Sequence, residues 1–170
     1  LGFTTSVGRY VPQSEIGHAR IAVANAEQAE VVAQIQDMEG FASNEHVLAG
    51  SGLERIDNAL NNCKDRTAAQ IMEAAGNGDD AEINVANMQA SFAGAVYGDM
   101  ALANLPLGGV YLIGGVARAL EPYLASDLFA HTFRDKGRFG PYNEQVSVPL
   151  FLEVSAALQG CASYIMASAF

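Results

Sequence analysis

The run Gly108-Gly109-Val110-Tyr111-Leu112-Ile113-Gly114-Gly115-Val116-Ala117-Arg118-Ala119-Leu120 constrains the fold of this chain more than any other. It predicts a buried strand over Val110 to Ile113, a two-glycine bend, and a helix that opens at Val116 or Ala117. Four apolar residues in a row suit a strand covered on both faces, as in the central sheet of an α/β domain. Paired glycines remove Cβ from the strand-to-helix turn, so a ligand can approach the backbone closely. Turns at the carboxyl ends of strands are where open α/β sheets bind ligands. A tight turn without a ligand has the same sequence, so the bend needs company before it means a site.

The rest of the chain predicts how that strand is housed. Leu1 to Ser6 and Arg9 to Pro12 read as a hairpin around Val7-Gly8, and His18 to Val23 as a third strand, together an antiparallel meander. Ala26 to Met38 has helical spacing, with Ala29, Val32, Ala33 and Ile35 or Gln36 near one face, Asn25 as N-cap and Gly40 as stop. Leu53 to Asn61 and a Thr67-capped helix to Ala75 follow, and Gly76-Asn77-Gly78-Asp79-Asp80 is a break. Ala81 to Asn104 is the longest helix, roughly 36 Å at the α-helical rise. Its Val85, Met88, Phe92, Val96 and Met100 recur at three or four, and its small residues suit packing flush against a sheet. Helices over Val116 to Leu124 and Asp127 to Arg134, a strand from Val146 to Leu152 and a last helix from Ala156 to Ala167 complete an α/β domain. The expected fold is therefore a mixed sheet with an antiparallel start and flanking helices, residues 1–170 forming a single domain.

Charge narrows the partners. A formal net charge of −10, with Lys64 and Lys136 the only lysines, argues against nucleic acid and anionic membrane surfaces. Apolar runs are cut by Gly, Asn, Asp or Glu, so no membrane span is expected. Cys63 and Cys161 have no CxxC or Cys/His spacing and read as reduced thiols of a cytoplasmic protein. No basic start with an apolar core suggests a signal peptide. Leu1-Gly2 reads like the middle of a strand, which implies a fragment.

Few residues could carry chemistry. Glu15 and His18 bracket Ile16-Gly17, and Glu45 stands in a second polar loop. Carboxylates accept from hydroxyls, and imidazole both donates and accepts, so such a set suits a sugar. A solvated glutamate and a structural histidine would have the same spacing. His46, adjacent to Glu45 in what reads as an extended run, should face the other way. His18, His46 and His131 lack metal-ligand spacing, and no GxSxG, GxxxxGKS or GxGxxG is present. The basic loop from Lys136 to Arg138 could guide a phosphate or simply be an exposed turn.

Five segments in order resemble bacterial glucokinases. Ser14-Glu15-Ile16-Gly17-His18 is similar to their E-G-G-H sugar-binding segment, with Ile16 where the family has glycine. Glu45-His46-Val47-Leu48-Ala49-Gly50-Ser51-Gly52-Leu53 resembles E-R-V-L-S-G-P-G-L. Gly109 to Val116 resembles the adenosine-side G-V-F-I-A-G-G-I, Phe133 to Phe139 the F-x-D-K-G-R-F loop, and Leu158-Gln159-Gly160-Cys161-Ala162 stands for L-L-G-x-A.

The resemblance implies the larger, C-terminal domain of an actin/hexokinase-type (ribonuclease H-like) kinase. Such an enzyme transfers the γ-phosphate of ATP, with Mg2+, to the 6-hydroxyl of glucose. By carry-over, Glu15, His18 and Glu45 bind sugar hydroxyls. Gly114 and Gly115 line the nucleotide, and Gly2 ends the second phosphate motif, G-T-G-L-G. A homodimer is a further implication. The zinc pattern of the related repressor/ORF/kinase proteins is missing. The family's D-x-G-G-T motif and the N-D segment that supplies the catalytic base fall before Leu1, so this segment alone is expected not to phosphorylate sugar. Two alternatives stay open: a non-catalytic sugar-binding regulator on the same fold, and an interaction module whose bend is only a turn. No helix-turn-helix supports the regulator.

Overall fold

A computed structural model describes residues 3–5 and 8–168. Its centre is a long rod of small residues. The strands β1 (Phe3–Thr5) and β2 (Gly8–Tyr10) come first, then the 3-10 turn Ile16–His18. Five helices follow: α1 (Ala26–Glu39), α2 (Asn44–Leu48), α3 (Gly50–Asn61), α4 (Ala68–Gly76) and α5 (Asp80–Asn104). Strand β3 (Leu112–Ile113) leads into α6 (Gly115–Ala119), α7 (Glu121–Leu124), α8 (Asp127–Arg134) and α9 (Gly140–Asn143), and β4 (Leu150–Phe151) precedes α10 (Ala156–Ser168).

Helices whose ends are written locally form where expected. Asn25 caps α1 by accepting from the Gln28 N–H, and Gly40 ends it in the left-handed region at φ 77°. Thr67 and Gln70 form a reciprocal capping box on α4, and Asp79 caps α5. The buried face of α1 differs from the expected one: Gln28, Val31 and Ile35 are inside, while Ala29 and Ala33 face solvent. Gln28 is accommodated because its amide donates to Ser91 Oγ at 2.9 Å and accepts from the Ala24 N–H at 2.7 Å. A buried amide that bonds at both ends displaces the small apolar residues from the core face.

The rod α5 is laid mainly against helices, α8 above all, while the sheet its small residues suggest reaches it through Leu112 of β3, which shares a buried cluster with Ala93 and Ala101. Gly94 and Gly98 lie one turn apart against α8. A Cβ at Gly94 would meet Thr132 Oγ1 and sit 2.6 Å from the Phe129 carbonyl; one at Gly98 would sit 2.5 Å from the Phe133 carbonyl. The glycines let two helix backbones touch. One buried cluster gathers Val31, Ile35, Val47, Ile56, Ile71, Val85 and Phe92, and a second gathers Ala93, Ala101, Leu112, Phe129 and Phe133. Leu48, Tyr97 and Leu124 pack on both and join them.

The sheet is where expectation fails. Phe3–Thr5 pairs antiparallel with Gly8–Tyr10, but this hairpin stands as its own sheet. The third run expected to be a strand is the 3-10 turn plus one bridge, Arg20 to Ser43, so neither the antiparallel meander nor a single mixed sheet is present among the described residues. Strand β3 pairs parallel with β4, Leu112 beside Leu150 and Ile113 beside Phe151. Two residues, not Val110 to Ile113 and Val146 to Leu152, meet the strand pattern. Pro149 has no N–H to donate, which limits the ladder. Leu112 is 7% exposed but Tyr111 and Ile113 are 57% and 51% exposed, so β3 is covered on one face only. Gly109, at φ 95°, lets the strands close, since a Cβ there would sit 2.6 Å from the Ser147 carbonyl. The expected helix Val116 to Leu124 is two pieces, because Pro122 in the first turn of α7 cannot continue α6.

Candidate functional site

The sugar-binding candidates sit on two short segments that the backbone ties together. The Asn44 amide donates to the Ile16 carbonyl at 2.8 Å, and the Asn44 N–H donates to the Ala19 carbonyl at 2.9 Å. The Ile21 N–H donates to the Ala42 carbonyl at 3.2 Å and extends the join. Segment 43–48 reads as an extended run, yet it forms α2 because Ser43 and His46 cap it. The His46 N–H donates to Ser43 Oγ at 3.3 Å, and the Ser43 N–H donates to His46 Nδ1 at 3.1 Å. From below, Gln89 of α5, fully buried, donates its amide to the Val47 and Ala49 carbonyls at 2.7 and 3.0 Å. Gly52 leaves room for that amide, since a Cβ would meet the Val47 carbonyl and sit 2.8 Å from Gln89 Nε2.

On this frame Glu15, His18 and Glu45 converge. His18 Nδ1 is 3.2 Å from a Glu45 carboxylate oxygen, and its Nε2 is 3.8 Å from one of Glu15. All three are solvent-facing; His18 and Glu45 line an open cleft of about 320 Å³ together with Phe41, Ser43, His46, Ser51 and Arg55, and Glu15 stands beside His18 outside that lining. His46 therefore shares the cleft with Glu45, contrary to the opposite facing expected of an extended run: in a helix, neighbours are about 100° apart. Arg55 donates to Glu39 at 2.9 Å and to Ser51 Oγ at 2.7 Å, which fixes the far wall. Ile16 supplies its carbonyl to Asn44 without adopting positive φ, so the residue that replaces a family glycine is unstrained. Sequence reasoning missed Asn44, Gln89 and Arg55; only the Ser-x-x-His spacing at 43–46 hinted at a capped helix.

The double-glycine bend lies next door. Gly114 precedes α6 at φ 112°, a conformation side chains rarely adopt, and a Cβ at either Gly114 or Gly115 would meet nothing within 4 Å. The bend is open to solvent. Gly50 at the start of α3 is against Val116 at the start of α6, 3.8 Å from an added Cβ to the valine methyl, so the two halves touch. Gly2 lies outside the described residues. Lys136 does not point at a ligand: its amine donates to the Ala95 carbonyl at 2.9 Å and pairs with Asp99 at 2.8 Å, with 9% of the side chain exposed. Cys63 and Cys161 are free thiols. Among the described residues no His, Cys, Asp or Glu group could hold a metal ion, and no helix is long and apolar enough to cross a membrane.

A fold of this arrangement is shared with solved sugar kinases of the hexokinase type. A crystal structure of glucokinase from an Antarctic psychrotroph superimposes with a TM-score of 0.82 at 28% identity, over 89% of this chain and 49% of that one. Glucokinase from Balamuthia mandrillaris, solved in complex with glucose, shares the fold at a TM-score of 0.69 and 18% identity, over 85% of this chain and 44% of that one. Residues 2–168 match the glucokinase family model, and the chain belongs to that family. Curated relatives include the glucokinases of Chelativorans sp. strain BNC1, 31% identical over 88% of this chain and 46% of theirs, and of Saccharophagus degradans, 32% identical over 89% and 49%. The chain spans about half the length of the curated relatives it matches.

Proposed function

We propose that this chain is the sugar- and nucleotide-contacting part, a single larger domain over residues 1–170, of an enzyme that phosphorylates glucose with ATP. The gathering of Glu15 and Glu45 around His18, with His18 and Glu45 on the wall of one open cleft, carries the reading. Carboxylates accept from sugar hydroxyls, and the imidazole held between them both donates and accepts, so neighbouring hydroxyls of a hexose find complementary partners. Gly114 and Gly115, with no atoms where side chains would be, let a nucleotide come against the backbone, and Gly2 would join them.

Magnesium, which neutralises the transferred phosphate in such reactions, would be held chiefly by the nucleotide's own phosphates and water, and no group of three or more His, Cys, Asp or Glu gathers among the described residues to cage it. The chain's own work is binding and orientation: it holds the sugar so that its 6-hydroxyl faces the phosphate. The base that removes that proton belongs to the half of the relatives' length that this chain does not match. A homodimeric, cytoplasmic parent protein completes the proposal.

Thermal unfolding with added glucose tests the reading. Glucose at a hundred times its Kd adds about 2.7 kcal/mol, a Tm rise of several degrees at this chain length. Glu45→Gln, which keeps the shape and removes the charge, should abolish most of that rise while leaving the unliganded Tm in place. An unmoved Tm at saturating glucose refutes the sugar site.

A further inference from the structure

We propose that the free edge of β3 is a strand-docking slot, and that its occupant is the stretch of the parent chain that leads into Leu1, Gly2 and β1. The proposal does not depend on the sugar reading above.

The ladder leaves one edge of β3 unused. The Val110 N–H donates to the Ser147 carbonyl at 2.9 Å and the Leu112 N–H to the Pro149 carbonyl at 3.0 Å, both toward β4. Alternate N–H groups of a strand point to opposite edges, so those of Tyr111 and Ile113 face away from β4. Among the described residues β3 has no strand on that side, since β3 and β4 alone make their sheet. Free edges are normally guarded by a charge, a proline or a bulge. Val110 to Ile113 carries neither charge nor proline.

A groove fits that edge. Open space of about 360 Å³ touches Val110, Tyr111, Leu112 and Ile113 in succession. Consecutive side chains of a strand point to opposite faces, so a groove that meets all four runs along the edge and not over one face. Helices supply the rest of its lining, Leu48 from α2, Tyr97 and Met100 from α5 and Val116 from α6 among them, and no charged side chain lines it.

The lining selects the occupant. An extended, uncharged segment offers side chains to the apolar walls and carbonyls to the Tyr111 and Ile113 N–H groups, the pairing by which a strand is added to a sheet edge. A helix bonds its own backbone groups and leaves those two donors unmet. A second copy of β3 brings its own α2 and α5 with it, so its edge does not enter a groove walled by helices, and two chains of net charge −10 repel. A bare strand does enter. Leu1, Gly2 and Phe3 are uncharged, and Leu1-Gly2 reads as strand interior. Among the described residues β1 pairs with β2 alone, and this chain spans about half the length of its curated relatives, which leaves ample chain to provide a further strand. Leu48 lies one turn after Glu45, and Val116 follows the Gly114-Gly115 bend, so the docked strand touches the supports of both candidate sites.

Hydrogen exchange at single amides, followed by 15N–1H NMR, tests the slot with a synthetic peptide of the about ten residues encoded ahead of Leu1. In the chain alone, Val110 and Leu112 should be protected and Tyr111 and Ile113 should exchange freely. Saturating peptide should slow exchange at Tyr111 and Ile113 by about tenfold or more. The same peptide N-methylated along its backbone keeps its side chains but loses its donors, and should bind about tenfold more weakly. Equal binding of the two peptides makes the groove an apolar contact without strand pairing and overturns the proposal. So does protection of Tyr111 and Ile113 without peptide, whether at all concentrations, only as the chain is concentrated, or on adding ATP, because the edge then has another occupant. A gene that encodes nothing ahead of Leu1 overturns the choice of occupant. Glucose takes no part in this readout, so a chain that binds the peptide but not glucose supports the slot and refutes only the sugar site.

Discussion

Adding one methyl group at Gly94 tests the helix contact on which the core is built. Alanine is the better helix former by about 1 kcal/mol, so propensity alone would make Gly94→Ala stabilising. A steric cost outweighs that gain. The new Cβ would lie 2.6 Å from the Phe129 carbonyl, about 0.8 Å inside the 3.4 Å where ordinary contact begins. Thr132 can rotate away, but the Phe129 carbonyl is backbone, so α8 must move off α5 by most of that distance. Phe129, Phe133 and Ala93, all buried in this seam, loosen with it. Forcing an extra methyl into a filled core costs typically 1–3 kcal/mol, and separating two buried helix faces belongs at the upper end. The expected net loss is about 1–2 kcal/mol after the propensity gain is set against it. Urea unfolding measures it, with Gly76→Ala as control: Gly76 is also helical, and a Cβ there would touch nothing within 4 Å. The control should be neutral or up to about 1 kcal/mol more stable. If Gly94→Ala stabilises as Gly76→Ala does, the backbones of α5 and α8 are not in contact.

Two further perturbations separate stability from function. Asn44→Ala leaves the Ile16 carbonyl without its side-chain donor, so urea unfolding should show a loss of about 1–2 kcal/mol. Glucose affinity should fall as well, and unchanged affinity would mean that Asn44 does not align the cleft. Burial holds the Tyr97 phenol above its ordinary 10.0. The unfolded chain therefore releases this proton at a pH where the folded one keeps it, and stability should fall as pH rises beyond about 10. Alkaline unfolding of Tyr97→Phe should lack that component; equal alkaline loss in both proteins refutes it.

Legibility in the sequence follows the range of the interactions. Asn25, Gly40, Thr67 and the Gly76–Asp80 break act within one turn, and the helices they bound stand where the sequence puts them. Strands need partners far along the chain, and no local pattern near Val110 foretells that Pro149 shortens the ladder or that Tyr111 stays exposed. The small residues of α5 announce a close neighbour but not its type, since a sheet and a helix make the same demand on side-chain size. Segment 43–48 hides its helix because the cap uses histidine. Glu15, His18 and Glu45 stand out in the sequence as candidates, but spacing alone does not part them from a solvated glutamate and a structural histidine, and their convergence depends on Asn44, whose bond to Ile16 spans 28 residues.

The bonds from Gln89 to the Val47 and Ala49 carbonyls have a consequence for how the molecule opens. A five-residue helix would fray readily in isolation. Here its last carbonyls are nailed to the middle of the longest helix by an amide that water does not reach. To lift α2, that amide must be stripped of its partners inside the core, so the cleft floor and the rod come apart in one event rather than in sequence.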